Sequence, residues 1–247
     1  MTDRSESAAD AIPSDLSVSG RTVVAIDGPA ASGKTTVAAH LADRLGAVFL
    51  DTGQLYRAVT LLAQRLGLST ADEVRLSMLI DAGAVSIRPA TVSDGRRLDV
   101  LLNGEDVTTL LRAPEIDAGV SAISALPAVR VALMPIQRSF AKDQRVIMVG
   151  RDIASVVFPD AGVKVYLDAS VEERARRRWL ELVEREPMVT QAEVEADLRR
   201  RDGIDSTRET APLQVAADAV VVDTDFKSIE QVVDEVAAIV EQAWDAA

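Results

Sequence analysis

The chain has 247 residues, enough for one large domain with insertions, and an apolar share of 48% that supports a sizeable core. Its formal charge of −12 argues against a general binder of nucleic acid or anionic membrane, so a phosphate ligand must be held by local arginines. The absence of cysteine excludes disulfides, thiolate catalysis and zinc–cysteine sites, and a single histidine, His40, makes His-based triads hard to sustain.

Residues 1–20 are rich in Ser, Asp and Ala and lack the apolar run of a signal peptide. They read as a disordered tail on a cytoplasmic protein, and no stretch has the length of a membrane span. Residues 21–247 read as one domain. Val23-Val24-Ala25-Ile26 predicts a buried strand that stops at Asp27-Gly28. Gly28-Pro29-Ala30-Ala31-Ser32-Gly33-Lys34-Thr35-Thr36 then fits G-x-x-x-x-G-K-[ST], the P-loop pattern, between that strand and a helix over 35–45. A triphosphate needs many donors close together, and a glycine-bounded loop turns its backbone N–H groups inward to supply them. The following helix adds its positive end, Lys34 a full charge at the β and γ phosphates, and Thr35 a hydroxyl for Mg²⁺.

Gly46 caps that helix, 47–50 form a second strand, and a helix resumes at Gln54. After a short helix over 71–82, strands at 84–88 and 97–101 flank the turn Ser93-Asp94-Gly95, and Asn103-Gly104 marks another turn. Helices over 114–124 and 127–142 each carry proline near the first turn, and Pro135 predicts a kink or break in the second. Strands follow at 146–149, 163–167 and 219–222. Helices over 171–185 and 190–202, dense in Arg and Glu, read as a lid arm, and 228–244 close the chain. The alternation predicts an α/β fold: a parallel sheet flanked by helices, with a small antiparallel insert and ligands at the carboxyl ends of the strands.

Several motifs narrow the class. Phe49-Leu50-Asp51-Thr52-Gly53-Gln54-Leu55-Tyr56-Arg57, Gly104-Glu105-Asp106-Val107, Gly150-Arg151-Asp152, Val156-Val157-Phe158-Pro159-Asp160-Ala161, Arg200-Arg201-Asp202 and Ala211-Pro212-Leu213 follow one another along the chain. Together they resemble bacterial cytidylate kinases from about Arg21 to the C-terminus. The resemblance implies a P-loop nucleoside monophosphate kinase with an NMP-binding insert at about 71–112 and a lid at about 174–208. It implies transfer of the γ-phosphoryl group of ATP to CMP or dCMP with Mg²⁺. The lack of a long heptad pattern or sticky strand reads as a monomer, and the negative charge as a chain whose partners are small nucleotides, with no nucleic acid or membrane.

Carried over residue by residue, the resemblance implies that the loop from Gly28 to Thr36 holds ATP and that Thr35 holds the metal. Lys34, Arg151, Asp152 and Arg177 would be catalytic. Thr52 and Arg57 would grip the CMP phosphate, with Arg151 reaching it from the third strand. Ser121, Arg130 and Asp152 would read cytosine. Arg201 and Asp205 would lie near the sugar and phosphate, and Arg208 would make another phosphate contact. In the lid run Arg174 to Arg178, Arg174 and Arg177 share a face and are favoured, although an ordinary solvated helix face is the better explanation of any one of these arginines taken alone. Two departures stand out: Val149 replaces the acidic residue usual before Gly150-Arg151-Asp152, leaving Asp27 or Asp152 to serve the metal, and Ala31 occupies a P-loop position where glycine is common.

The chemistry suits such a site, because a nucleotide monophosphate is largely dianionic at neutral pH and its oxygen attacks without a general base. The alternatives are a P-loop small-metabolite kinase of the shikimate-kinase type and a weakly active nucleotide-binding homologue. The antiparallel insert and Gly150-Arg151-Asp152 argue against the first.

Overall fold

The computed structural model describes residues 19–184 and 186–245. Five strands form the central sheet: β1 (Val23–Asp27), β2 (Val48–Asp51), β6 (Val146–Val149), β7 (Val163–Asp168) and β8 (Val220–Asp223). They are all parallel, in the order β2-β6-β1-β7-β8. Side chains along β1 and β6 alternate between two cores, as strand geometry requires. Val24, Ile26, Ile147 and Val149 face the side covered by α1 (Lys34–Leu45) and α8 (Ile229–Asp245). Val23, Ala25, Val146 and Met148 face Ile153, Val157 and Phe158 on the other.

Three further strands, β3 (Val85–Pro89), β4 (Leu98–Leu102) and β5 (Glu105–Asp106), make the separate antiparallel sheet that the turn signals predicted. Its core is shared with α2 (Gly53–Leu66), α3 (Glu73–Asp81), α4 (Pro114–Ser124) and α5 (Pro127–Ser139), so the packed unit around the insert reaches beyond 71–112. The Arg97 guanidinium grips Asp43 of α1 at 2.6 and 2.5 Å and ties this unit to the core.

The arm expected to be a lid consists of α6 (Val171–Leu182) and α7 (Gln191–Thr207). Ala175, Val194 and Leu198 pack between them and against Ala30 of the P-loop. The α7 helix runs five residues past the predicted end at 202, and Arg208 caps it.

Two expectations change. Pro135 does not break its helix: α5 continues through it to Ser139. The carbonyl that loses its donor belongs to Val131, a residue 53% exposed, so water can replace the missing bond. Gly20 is not part of a tail, since it is buried and donates its N–H to Asp160 at 2.9 Å. Residues 1–18, the rest of the expected tail, lie outside the described residues.

Candidate active site

The loop after β1 sits at the centre of the sheet's carboxyl edge. Gly28 has φ +149°, and a Cβ there would stand 2.1 Å from the Leu167 carbonyl oxygen, so no other residue fits. Gly33, at φ +89°, starts α1. Ala31 adopts the left-handed region at φ +61° without being glycine, a conformation that costs roughly 1–2 kcal/mol. Ser32 is buried, and its carbonyl accepts from Thr224 at the end of β8 at 3.4 Å.

Lys34 was read from sequence as a charge presented to phosphates, and it lies folded back on the loop. Its Nζ donates to the Pro29 carbonyl at 2.5 Å and to Ser32 Oγ at 3.3 Å. Burial, aided by Arg151, pushes its ammonium well below the usual lysine range. Thr35 and Thr36 are exposed on the first turn of α1. The Thr35 hydroxyl donates to Asp51 Oδ2 at 2.9 Å. A hydroxyl backed by a fixed carboxylate suits a hydrated divalent cation shared with phosphates.

Both carboxylates expected to serve the metal have other partners in the structure. Asp27 accepts the N–H groups of Ile153 and Ala154 at 2.9 and 2.8 Å, capping the π-helical turn Ile153–Val157. Burial pushes its carboxyl up to about 6. Asp152 forms a buried pair with Arg130 and lies 3.7 Å from Arg208. Asp51, which the sequence reading left without a role, is the carboxylate at Thr35. It pairs in register with Val149 on the neighbouring strand.

Arginines line the rest of the cleft. Arg130 stacks 5.2 Å over the ring of buried Tyr56. Arg151 donates to Asp205 at 3.0 Å. Arg208 donates from Nε to the Ala211 carbonyl at 2.5 Å, which gives Ala211-Pro212-Leu213 a structural purpose, while its buried Nη2 has no hydrogen-bond partner. Burial, with Arg130 adding to it, pushes the Arg208 guanidinium down. Arg201 also keeps a buried Nε without a partner. Such orphan donors beside paired arginines mark a place for an anion. Ser121 is buried on α4, one turn after Asp117 and on the same face.

Two expected contacts fall elsewhere. The Thr52 N–H and hydroxyl both donate to the Val149 carbonyl, at 3.1 and 2.9 Å, so in this structure Thr52 holds β2 to β6. Arg177 faces Glu173 and Thr224, donating to the Thr224 hydroxyl and carbonyl at 3.0 and 2.6 Å. That position borders the P-loop's far side. Arg174 braces the lid, donating to the carbonyls of Ala169 and Ala30 at 3.1 and 3.2 Å and pairing with Asp202 at 2.8 Å. Arg178 is the lid arginine that crosses to the insert side, reaching Asp117 of α4 at 2.8 Å.

The family model described as cytidylate kinase matches residues 24–242. The chain belongs to the cytidylate kinase family. A cytidylate kinase of Solibacter usitatus is 45% identical over 222 residues, 89% of this chain and 92% of that protein. One of Herpetosiphon aurantiacus is 47% identical over 209 residues, covering 85% and 90%. Shikimate kinase from Acinetobacter baumannii, solved with shikimate, aligns over 89% of this chain and 93% of its own at 16% identity and TM-score 0.40. That likeness is too distant to bear on the acceptor, and the match across 24–242 sets the shikimate-kinase alternative aside. This family member is a nucleotide-dependent kinase, and among its described residues no single helix is long and apolar enough to cross a membrane.

Proposed function

We propose that the protein transfers the γ-phosphoryl group of ATP to CMP or dCMP, giving ADP and CDP or dCDP. The observation that carries this reading is the P-loop lysine, Lys34, standing at the carboxyl edge of a sheet whose next strand leads into Gly150-Arg151-Asp152 and the arginine cluster. A site built from guanidinium groups suits two polyphosphates that repel each other, and catalysis there is positioning and charge stabilisation. No general base is needed, and the only histidine, His40, is exposed on α1.

The backbone of Gly28 to Thr36 would cradle the ATP phosphates, with Lys34 leaving Pro29 and Ser32 for the β and γ oxygens. Mg²⁺ would be held by Thr35 with Asp51 behind it, and it would neutralise negative charge on the phosphates. Arg57 and Arg151 would hold the acceptor phosphate, and Arg201, Asp205 and Arg208 would flank it. Arg130, Asp152 and Ser121 would read cytosine. Residues 174–208 would act as the lid, with Arg177 on the donor side. A monomer acting on small nucleotides in the cytoplasm fits the net charge of −12, which disfavours nucleic acid and anionic lipid.

Initial rates of ADP release over CMP, dCMP, UMP, AMP and shikimate test the reading. CMP and dCMP should be the preferred acceptors, and Lys34→Ala should lower kcat by at least about 10²-fold while leaving the circular dichroism spectrum native. Near-normal turnover in that variant would remove the catalytic assignment of the loop.

A further inference from the structure

One carboxylate stands among the arginines that face the acceptor side. Asp117 accepts from Arg57 of α2 through Oδ1 at 2.5 Å and from Arg178 of α6 through Oδ2 at 2.8 Å. These arginines belong to opposite walls of the cleft, one to the unit around the insert and one to the lid arm. Arg57 is aimed by a second bond from Nη1 to the Leu111 carbonyl at 3.0 Å. The bridge is accessible: the side chains of Asp117, Arg57 and Arg178 are 20%, 23% and 29% exposed. Arg201 lies within the same field. Burial and Arg151 push its guanidinium down, Asp117 opposes that shift, and Arg57 adds to it.

Without an anion, arginines gathered this closely repel one another. Asp117 offers them a planar, singly charged acceptor with one oxygen for each wall. A phosphate ester offers three oxygens and a charge near −2, so it can take the same donors and hold them more strongly. Once it is present, the carboxylate beside it becomes a repulsive neighbour.

We propose that Asp117 is a resident counter-ion for the acceptor-phosphate arginines, displaced by the phosphate dianion of the incoming nucleotide, and that the exchange frees Arg178 from α4. The proposal rests on the reading of Arg57 as a phosphate grip. It makes Asp117 a specificity-determining residue. Binding is an exchange of anions, so an acceptor without a phosphate cannot unlock the lid arginine. The pairs that join α4 to α2 and to α6 are also spent when substrate arrives, which couples occupancy of the acceptor site to the freedom of the lid arm.

The test is calorimetric titration of the full chain with inorganic phosphate. Asp117→Asn keeps the shape of the side chain and removes its charge. It should tighten phosphate about fivefold, the scale of two partly exposed ion pairs, and lower KM for CMP by a similar factor. Unchanged or weaker phosphate binding in a natively folded variant would overturn the proposal and make Asp117 a residue that merely aims Arg57. On the wild-type chain, saturating inorganic phosphate should move the side-chain Nε resonances of both Arg57 and Arg178. A shift confined to Arg57 would also overturn it. Neither the phosphate titration nor the resonance shifts need turnover, so failure of the exchange and failure of the CMP kinase reading give different results.

Discussion

The Thr35 hydroxyl donates to the Asp51 carboxylate across 2.9 Å, joining the first turn of α1 to the end of β2. The other oxygen of Asp51 accepts the Gly53 N–H at 2.9 Å, so the carboxylate cannot swing away from the loop. Partners that orient a metal ligand typically carry 10–100-fold in metal affinity or activity. Asp51→Asn should therefore raise the Mg²⁺ concentration needed for half-maximal rate by about tenfold or more, with a smaller effect at saturating Mg²⁺. Initial rates against Mg²⁺ at fixed ATP and CMP measure this. An unchanged Mg²⁺ profile would separate Asp51 from the metal.

Asp27 ties stability to pH. Its folded carboxyl is raised to about 6, above the ordinary value of 3.8, because burial outweighs the two backbone N–H bonds from Ile153 and Ala154. The folded state then binds the proton more tightly than the unfolded chain, so this group's contribution is fully present below about 3.8 and is lost as pH rises through about 6. Two units correspond to roughly 3 kcal/mol. Urea unfolding of wild type and Asp27→Asn between pH 4 and 8 isolates the term. The difference in stability, wild type minus variant, should fall by about that amount and flatten above pH 7. A difference that rises with pH would contradict the burial argument.

Pro135 costs α5 one hydrogen bond in its interior without bending it out of the fold. Position 135 is exposed, so replacing the ring removes no packing in the core. Pro135→Ala should restore the bond to the Val131 carbonyl and stabilise the protein by about 1 kcal/mol, the helix gain being partly offset by a freer unfolded chain. Thermal unfolding would register the change as a rise in Tm, and a fall would mean that the proline's ring is doing packing work at the surface.

What the sequence made legible follows from how local each signal is. The apolar run of β1, the glycine-bounded loop after it, the Ser93-Asp94-Gly95 turn and the parallel order implied by alternating strands and helices are signalled by neighbours in the chain. The site is set by distant ones. Asp117 meets Arg57 and Arg178 across 60 and 61 residues, and in sequence it reads only as a first-turn acid of α4. Helical spacing grouped Arg174 with Arg177, but it could not show that the face they share packs on the P-loop and Thr224 while Arg178 turns to the cleft. Thr52 was legible as part of a motif, yet its donors go to the Val149 carbonyl, a bond visible only once β2 lies beside β6. Asp51 carries no periodic or spacing signal of its own, and its contact with Thr35 is visible only once β2 lies beside α1.

Base choice is the sharpest remaining test of the site. Cytosine presents an N4 amino donor where uracil presents the O4 acceptor, so a carboxylate favours the first and repels the second. Asp152 is nearly fully buried, with Oδ2 committed to Arg130 and Oδ1 at 3.7 Å from Arg208. A carboxylate has about four acceptor positions, so about two remain for an amino group even with both arginines in place. Asp152→Asn retains the shape, removes the charge and gives the side chain a donor for O4. It also strips Arg130 of its buried partner, a change that costs about 3–5 kcal/mol, so rates belong at a temperature where unfolding curves show the variant folded. The expected outcome is a fall in kcat/KM for CMP, by as much as about 10⁴-fold, with a CMP-to-UMP ratio that narrows or reverses. If CMP and UMP lose the same factor, Asp152 acts by fixing Arg130 and Arg208, and the base is read by the arginine itself.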